Sequence, residues 1–256
     1  ICTFRHMDEP IITKRLGLIN KLNYKVHDVS NANCIIGHIR YSTNNSLASG
    51  QTYDKNLQIQ PIHNTYKKAR QLYICHNGHI EINDSIRTFC NLHHLPTKYN
   101  SDSEMFYSIF AYLYHIYVHD KQPFNEIYFR QRIMIVIDFI CRLCPGSYSI
   151  ICVIEDLGVL CFKDNYGIRP LCYGIKNNNI LVASESIVLS SQNYLNICEL
   201  MPNEVFFYKF NDTTFNIYTK YSTKYSTTYD TLLLSDEYKD YTSISKIDLK
   251  DVENTT

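Results

Sequence analysis

Residues 101–117 read SDSEMFYSIFAYLYHIY, and residues 124–143 read FNEIYFRQRIMIVIDFICRL just ahead of Pro145-Gly146. In the first stretch Met105, Phe106, Ile109, Phe110, Leu113 and Ile116 recur at helical spacing, which predicts one apolar face turned toward a core. Its opening, Ser101-Asp102-Ser103-Glu104, reads as a capping box in which Ser101 and Glu104 satisfy each other's end of the first turn. In the second stretch Ile127, Val136, Phe139, Ile140 and Leu143 are apolar, and Pro145-Gly146 stops the helix. Short runs rich in β-branched and aromatic residues flank this helical zone: Cys34–Tyr41 and Leu72–His76 before it, Ser147–Ile154, Val159–Phe162 and Ile180–Ala183 after it. A shorter helix is expected after Gly78, through Ile80, Ile86 and Phe89. Strands, then two long helices, then strands again is not the alternation of a doubly wound parallel sheet. The order predicts antiparallel sheets packed in layers with helices.

The chain of 256 residues fits one large domain or two small ones. Hydrophobic residues make up 45% and charged residues 20%, enough to build a core and unlike a disordered chain. Lys and Arg total 25, as do Asp and Glu, and the two signs are mixed along the chain. That balance argues against a nucleic-acid partner, which calls for a basic excess or patch. The longest apolar candidate, Met134 to Ile140, is broken by Asp138, so neither a membrane span nor a signal peptide is expected. The ten cysteines sit mostly in apolar strand-like runs and read as buried free thiols in a reducing cytoplasm. Cys141 and Cys144 form one C-x-x-C, but a zinc site needs a second pair at a recognisable spacing and none is present, so no metal site is expected. The first residue is Ile1 rather than Met, as in a processed chain or a piece of a longer one.

Several segments carry chemistry-bearing residues at the ends of strands and helices. Gly37-His38-Ile39-Arg40-Tyr41-Ser42-Thr43 runs off a strand into a polar loop, where Arg40 offers a planar fork to a carboxylate or merely lies on the surface. Asn77-Gly78 follows an apolar strand. It reads as a turn, or as a carboxamide and an exposed N–H converging on one oxygen. Asp102 either favours a helix N-terminus or binds a ligand amine there. Residues 163–171 hold a turn centred on Asn165 to Gly167, with a β-hairpin as the natural reading. Ala183-Ser184-Glu185-Ser186 leaves a strand and caps a short helix.

Taken in order, these segments resemble the glutamine amidotransferase domain of the amidophosphoribosyltransferases, a class II (N-terminal nucleophile) family. That family reads G-H-x-R-Y-x-T, Q-P, H-N-G, S-D-S-E, D-x-x-G-x-R-P-L, A-S-E-S and P-x-E. Here these are Gly37 to Thr43, Gln60-Pro61, His76 to Gly78, Ser101 to Glu104, Asp164 to Leu171, Ala183 to Ser186, and Pro202 with Glu204. Leu16-Gly17-Leu18-Ile19 is similar to the family's G-L-V stretch, and the match runs from Thr13 to Phe210. The resemblance implies an α+β fold, a four-layer αββα sandwich of two antiparallel sheets between helices. It also implies roles: Arg40 on the α-carboxylate of glutamine, Asp102 on its α-amino group, Thr43 holding the substrate from a closing loop. Asn77 and Gly78 would form the oxyanion hole, two neutral donors for the charge that appears when the side-chain amide is attacked.

The resemblance is incomplete at both ends. The family's nucleophile is a cysteine at the mature N-terminus within C-G-I-x-G, with its own α-amino group as base, and no such segment occurs here. Cys2 lies only 38 positions before Arg40 and fits an ordinary second strand of the family instead. The expectation is therefore an amidotransferase domain over residues 1–210 that lacks its nucleophile segment and is inactive as it stands. A polar tail or start of a linker, rich in Tyr, Ser and Thr, is expected over residues 211–256. The family's phosphoribosyltransferase domain, with its Mg, is not expected here, and no cofactor is expected in this chain. No iron–sulfur cluster is expected either, since no cysteine follows Cys198. Asn44-Asn45 replaces a usual glycine after Thr43, and Asn165 a usual proline.

The full protein is expected to be a cytoplasmic homo-oligomer that hydrolyses glutamine. It would pass the ammonia to phosphoribosyl pyrophosphate, giving phosphoribosylamine in the first step of purine synthesis. Two alternatives stay open: a catalytically dead module that binds glutamine or a partner, and the amidotransferase domain of a sister glutamine-dependent synthase.

Overall fold

Alternate residues of the central strands go to opposite cores, and that alternation builds the molecule. The computed structural model describes residues 1–5, 8–18, 32–39, 59–63, 70–96, 101–118, 124–177, 179–210 and 215–219. Its largest sheet joins β4 (Leu72–Ile80), β5 (Gly146–Ile154), β6 (Gly158–Lys163), β10 (Glu204–Lys209) and β11 (Asn216–Thr219). All pairs are antiparallel, in the order β11-β10-β6-β5-β4, which among the described residues leaves β4 on an edge. On β5, Tyr148, Ile150, Cys152 and Ile154 turn to one face, and Ile151 and Val153 to the other. With both faces covered the strand reads as a nearly continuous apolar run, as its sequence does.

The first face is covered by α1 (Asp84–Leu92), α2 (Asp102–Leu113) and α3 (Glu126–Leu143). The helix α2 ends in a π-helical turn, Tyr114–Val118. Aromatic rings dominate this core: Phe106 lies 5.5 Å from Tyr148 and 6.3 Å from Phe162, centroid to centroid. Each such buried ring contributes about 2 kcal/mol relative to exposure. The helix α2 starts where the sequence places it, and α3 starts at Glu126, just inside the expected Phe124. The Ser101 hydroxyl accepts from the Glu104 N–H at 3.2 Å, and the Asn125 side chain from the Tyr128 N–H at 2.9 Å.

The second face is covered by two smaller antiparallel sheets. One holds β1 (Cys2–Phe4), β2 (Ile11–Ile12) and β3 (Cys34–Ile36) in the order β2-β1-β3. The other holds β7 (Cys172–Lys176), β8 (Asn179–Ala183) and β9 (Leu195–Glu199) in the order β8-β7-β9. The first packs Cys2, Phe4 and Ile36 against Tyr73, Cys75 and Val153 of the large sheet. The second packs Tyr173 and Val182 toward Cys161 and Phe206. On its outer side α4 (Ser186–Ser191) buries Leu189 beside Gly174, where a Cβ would stand 2.9 Å from the Leu189 Cδ2. The layers run helix, sheet, sheet, helix, in agreement with the expected α+β sandwich. No described helix is long and apolar enough to cross a membrane.

Two local expectations are corrected. Asn77-Gly78 is not a turn, because β4 continues through it to Ile80. Residues 163–171 do not form a hairpin, because β6 and β7 belong to different sheets. The Asp164 carboxylate, 2% exposed, accepts from the N–H groups of Tyr148, Tyr166 and Gly167 at 2.8 to 3.0 Å and turns the chain from one sheet to the other. The large sheet also continues past the expected boundary at 210, since β11 pairs with β10 along Glu204↔Thr219 to Phe207↔Asn216.

Candidate functional site

Among the described residues, the outer edge of β4 is occupied at Ile74, His76 and Ile80 and open at Gly78. At Ile74 the backbone exchanges both hydrogen bonds with Ile62, at 2.8 and 2.9 Å. At His76 the Gln60 side chain does the same work: its Nε2 donates to the His76 carbonyl at 3.1 Å, and its Oε1 accepts from the His76 N–H. At Ile80 the N–H donates to the Asp102 carboxylate, 3.2 Å from Oδ2. These three contacts fix the edge-facing residues as 74, 76, 78 and 80, since backbone groups alternate along a strand. No described residue accepts from the Gly78 N–H. A donor on a sheet edge with no taker is a place for an incoming oxygen.

Gly78 has to be glycine to stand there. Its φ is +136°, and a Cβ would sit 2.0 Å from the Ser147 carbonyl oxygen. Asn77 lies beside it on the face that carries Tyr73 and Cys75, and no described residue hydrogen-bonds to its carboxamide. One oxygen poised over this edge can take both donors. Asp102 closes the other side: its Oδ1 accepts from the Ser103 N–H at 2.7 Å and the Ser103 hydroxyl at 3.2 Å. His79 Nδ1 stands 3.7 Å from Oδ2. Ser103 also meets His76 Nδ1 at 2.8 Å, so the start of α2 is stitched to the strand on both sides of Asn77-Gly78. With three hydrogen bonds filled, the carboxylate keeps acceptor capacity for one more donor, such as an ammonium group.

Of the expected site residues, Asn77, Gly78 and Asp102 come together at one strand edge. Arg40 and Thr43 lie outside the described residues. The chain leading to them leaves β3 at Gly37-His38-Ile39. Phe4, paired with Cys34, packs its ring 4.8 Å from Tyr73, while Ile36 shares a cluster with Cys75.

Cys2 is an ordinary strand residue, fully buried in β1 and paired with Ile36 and Ile12, and burial pushes its thiol up to about 12. Cys75 is likewise pushed up to about 12 by burial. Neither is a thiolate at neutral pH. Among the described residues no group of three or more His, Cys, Asp or Glu side chains is placed to hold a metal.

Further residues position the site with only a weak signal of their own in the sequence. Gln60 and Ser103 lay inside recognised motifs without a role, and their polar side chains next to an apolar strand were the available signal. Lys163 was read only as part of a turn. It is buried, and its Nζ meets Glu199 Oε1 at 2.9 Å.

A sequence profile of the glutamine amidotransferase domain matches residues 45–191, a stretch that takes in Asn77, Gly78 and Asp102. The chain belongs to the glutamine amidotransferase domain family. Curated relatives of this amidotransferase domain are amidophosphoribosyltransferases. That of Schizosaccharomyces pombe is 32% identical over 177 residues, covering 67% of this chain and 30% of its own length. That of Pseudomonas aeruginosa is 27% identical over 213 residues, covering 78% of this chain and 38% of its own length. The amidotransferase chain thus spans well under half the length of these relatives. Among solved structures, the glutamine phosphoribosylpyrophosphate amidotransferase from B. subtilis complexed with ADP and GMP superposes with a TM-score of 0.53 at 18% identity. The match covers 71% of this chain and 34% of that one, and it is a likeness of fold.

Proposed function

We propose that this amidotransferase domain binds glutamine at the edge of β4 and serves as the glutaminase half of an amidophosphoribosyltransferase. The observation that carries the reading is the Gly78 N–H, which no described residue accepts from, beside the Asn77 carboxamide, with the Asp102 carboxylate at the next edge position. Glutamine presents a carboxamide oxygen, an ammonium group and a carboxylate. Asn77 and Gly78 take the first, Asp102 the second and Arg40 the third, with Thr43 holding the ligand from its loop.

Hydrolysis places a thiolate on the amide carbon, and the carbonyl oxygen becomes an oxyanion held by Asn77 and Gly78. As the oxyanion collapses the C–N bond breaks, the nitrogen takes the proton that the thiol gave up and leaves as ammonia, and water then cleaves the thioester to glutamate and the free thiol. Cys2 and Cys75 are unsuited to that attack, and the reading gives the attacking thiol to neither. The ammonia would go to phosphoribosyl pyrophosphate, giving phosphoribosylamine for purine synthesis, on the part of the relatives' length that this chain does not match.

Titration calorimetry with glutamine tests the binding. Asp102→Asn should raise Kd by about 30-fold, the loss of one charge-assisted hydrogen bond of about 2 kcal/mol. Arg40→Ala should act similarly, and Asn77→Ala should weaken binding less. Unchanged affinity in Asp102→Asn, with an unchanged melting temperature, would remove Asp102 from the site. Glutamate release measured alongside separates a working glutaminase from a domain that only binds.

A further inference from the structure

The row of residues across the large sheet at the site changes character within one step. Asn77 pairs with Ser149, and Ser149 pairs with Lys163. All three stand on the face turned to the small sheets. The next row inward is Cys75, Ile151 and Cys161, which is apolar. The polar row thus borders the apolar interface between the sheets on the side of the site. Lys163 is accounted for by Glu199. Asn77 is accounted for by the oxyanion site. Ser149 is not.

Ser149 is 2% exposed, and no described residue hydrogen-bonds to its hydroxyl. On the same face of β5 its neighbours are Ser147 on one side and Ile151 on the other, so the hydroxyl stands where that face turns from polar to apolar. With no hydrogen bond to any described residue, the hydroxyl adds little to the empty fold, and an alanine would serve it about as well. Cross-strand partners in an antiparallel pair have Cβ atoms about 5 Å apart, so a group held by Asn77 lies within reach of Ser149. A hydroxyl rotates to suit and accepts as readily as it donates.

We infer that Ser149 is a positioning residue for the reacting carboxamide. It accepts an N–H of the amide whose oxygen is held by Asn77 and Gly78. With both ends of the amide held, its plane is fixed and one face is presented to attack. This rests on the glutamine-binding reading above.

The test is calorimetry on the whole chain with two ligands. Glutamine carries the carboxamide; norvaline has the same α-amino and α-carboxyl groups and none. Ser149→Ala should raise Kd for glutamine about tenfold, the net loss of one buried hydrogen bond, and leave norvaline within a factor of two. Its melting temperature should stay level or rise. Ser149→Thr, which keeps a hydroxyl, should recover much of the glutamine affinity. Equal weakening of both ligands would assign Ser149 a merely structural role and overturn the inference, as would unchanged affinity for glutamine. If the unsubstituted chain binds neither ligand, the site reading itself falls before any variant is compared, and the role of Ser149 falls with it.

Discussion

At the scale of single residues, position 78 has no room for a side chain. The Cβ of an alanine would stand 2.0 Å from one backbone atom of β5 and 2.8 Å from another, on a φ of +136°. Gly78→Ala should therefore cost about 3 kcal/mol or more and lower the melting temperature by about 5–10 °C in a scanning-calorimetry trace. An unchanged melting point would mean that the strand does not pass through this conformation. The same residue explains a misreading. Asn-Gly signals a turn because turns are where positive φ most often occurs, and that signal is local. What makes it a strand here is the backbone of Ser147 and Tyr148 across the pair, which no local pattern contains. Ser149 was overlooked for a related reason. One hydroxyl in an apolar run is unremarkable until the register sets it opposite Asn77.

At the scale of elements, the helices were legible because their signals are local. Capping side chains and apolar spacing lie within a few residues of each other, as at Ser101 and Asn125. Asn83 belongs with them: its side chain accepts from the Ile86 N–H at 3.0 Å and starts α1 close behind the site strand. Asn83→Ala should lower stability by about 1 kcal/mol, read as a lower urea midpoint with an unchanged slope. A midpoint within error of the parent would show that the cap contributes nothing. The strands were legible as strands, but their partners were not. Residues 163–171 looked like a hairpin because two β-like runs flank a turn. Yet whether successive strands pair depends on which sheet each joins. The buried Asp164 carboxylate decides that by gathering three N–H groups and sending the chain across to β7.

At the scale of the whole molecule, the layering followed from the order of elements, and the family from seven motifs in sequence. Neither showed that the face opposite the helices is covered in two pieces. Among the described residues, β2-β1-β3 and β8-β7-β9 share no ladder. Each is held mainly by what it buries against the large sheet. Cooperative units of this kind open separately, at free energies below that of global unfolding. In deuterium exchange the amides of β1 should therefore lose protection well before those of β5, and the two small sheets should do so at different rates. One common rate across all three sheets would mean a single cooperative block. The strand edge with Asn77, Gly78 and the Asp102 contact belongs to the slow layer. The edge proposed to hold the amide oxygen should thus stay in place through excursions that repeatedly uncover the face above it.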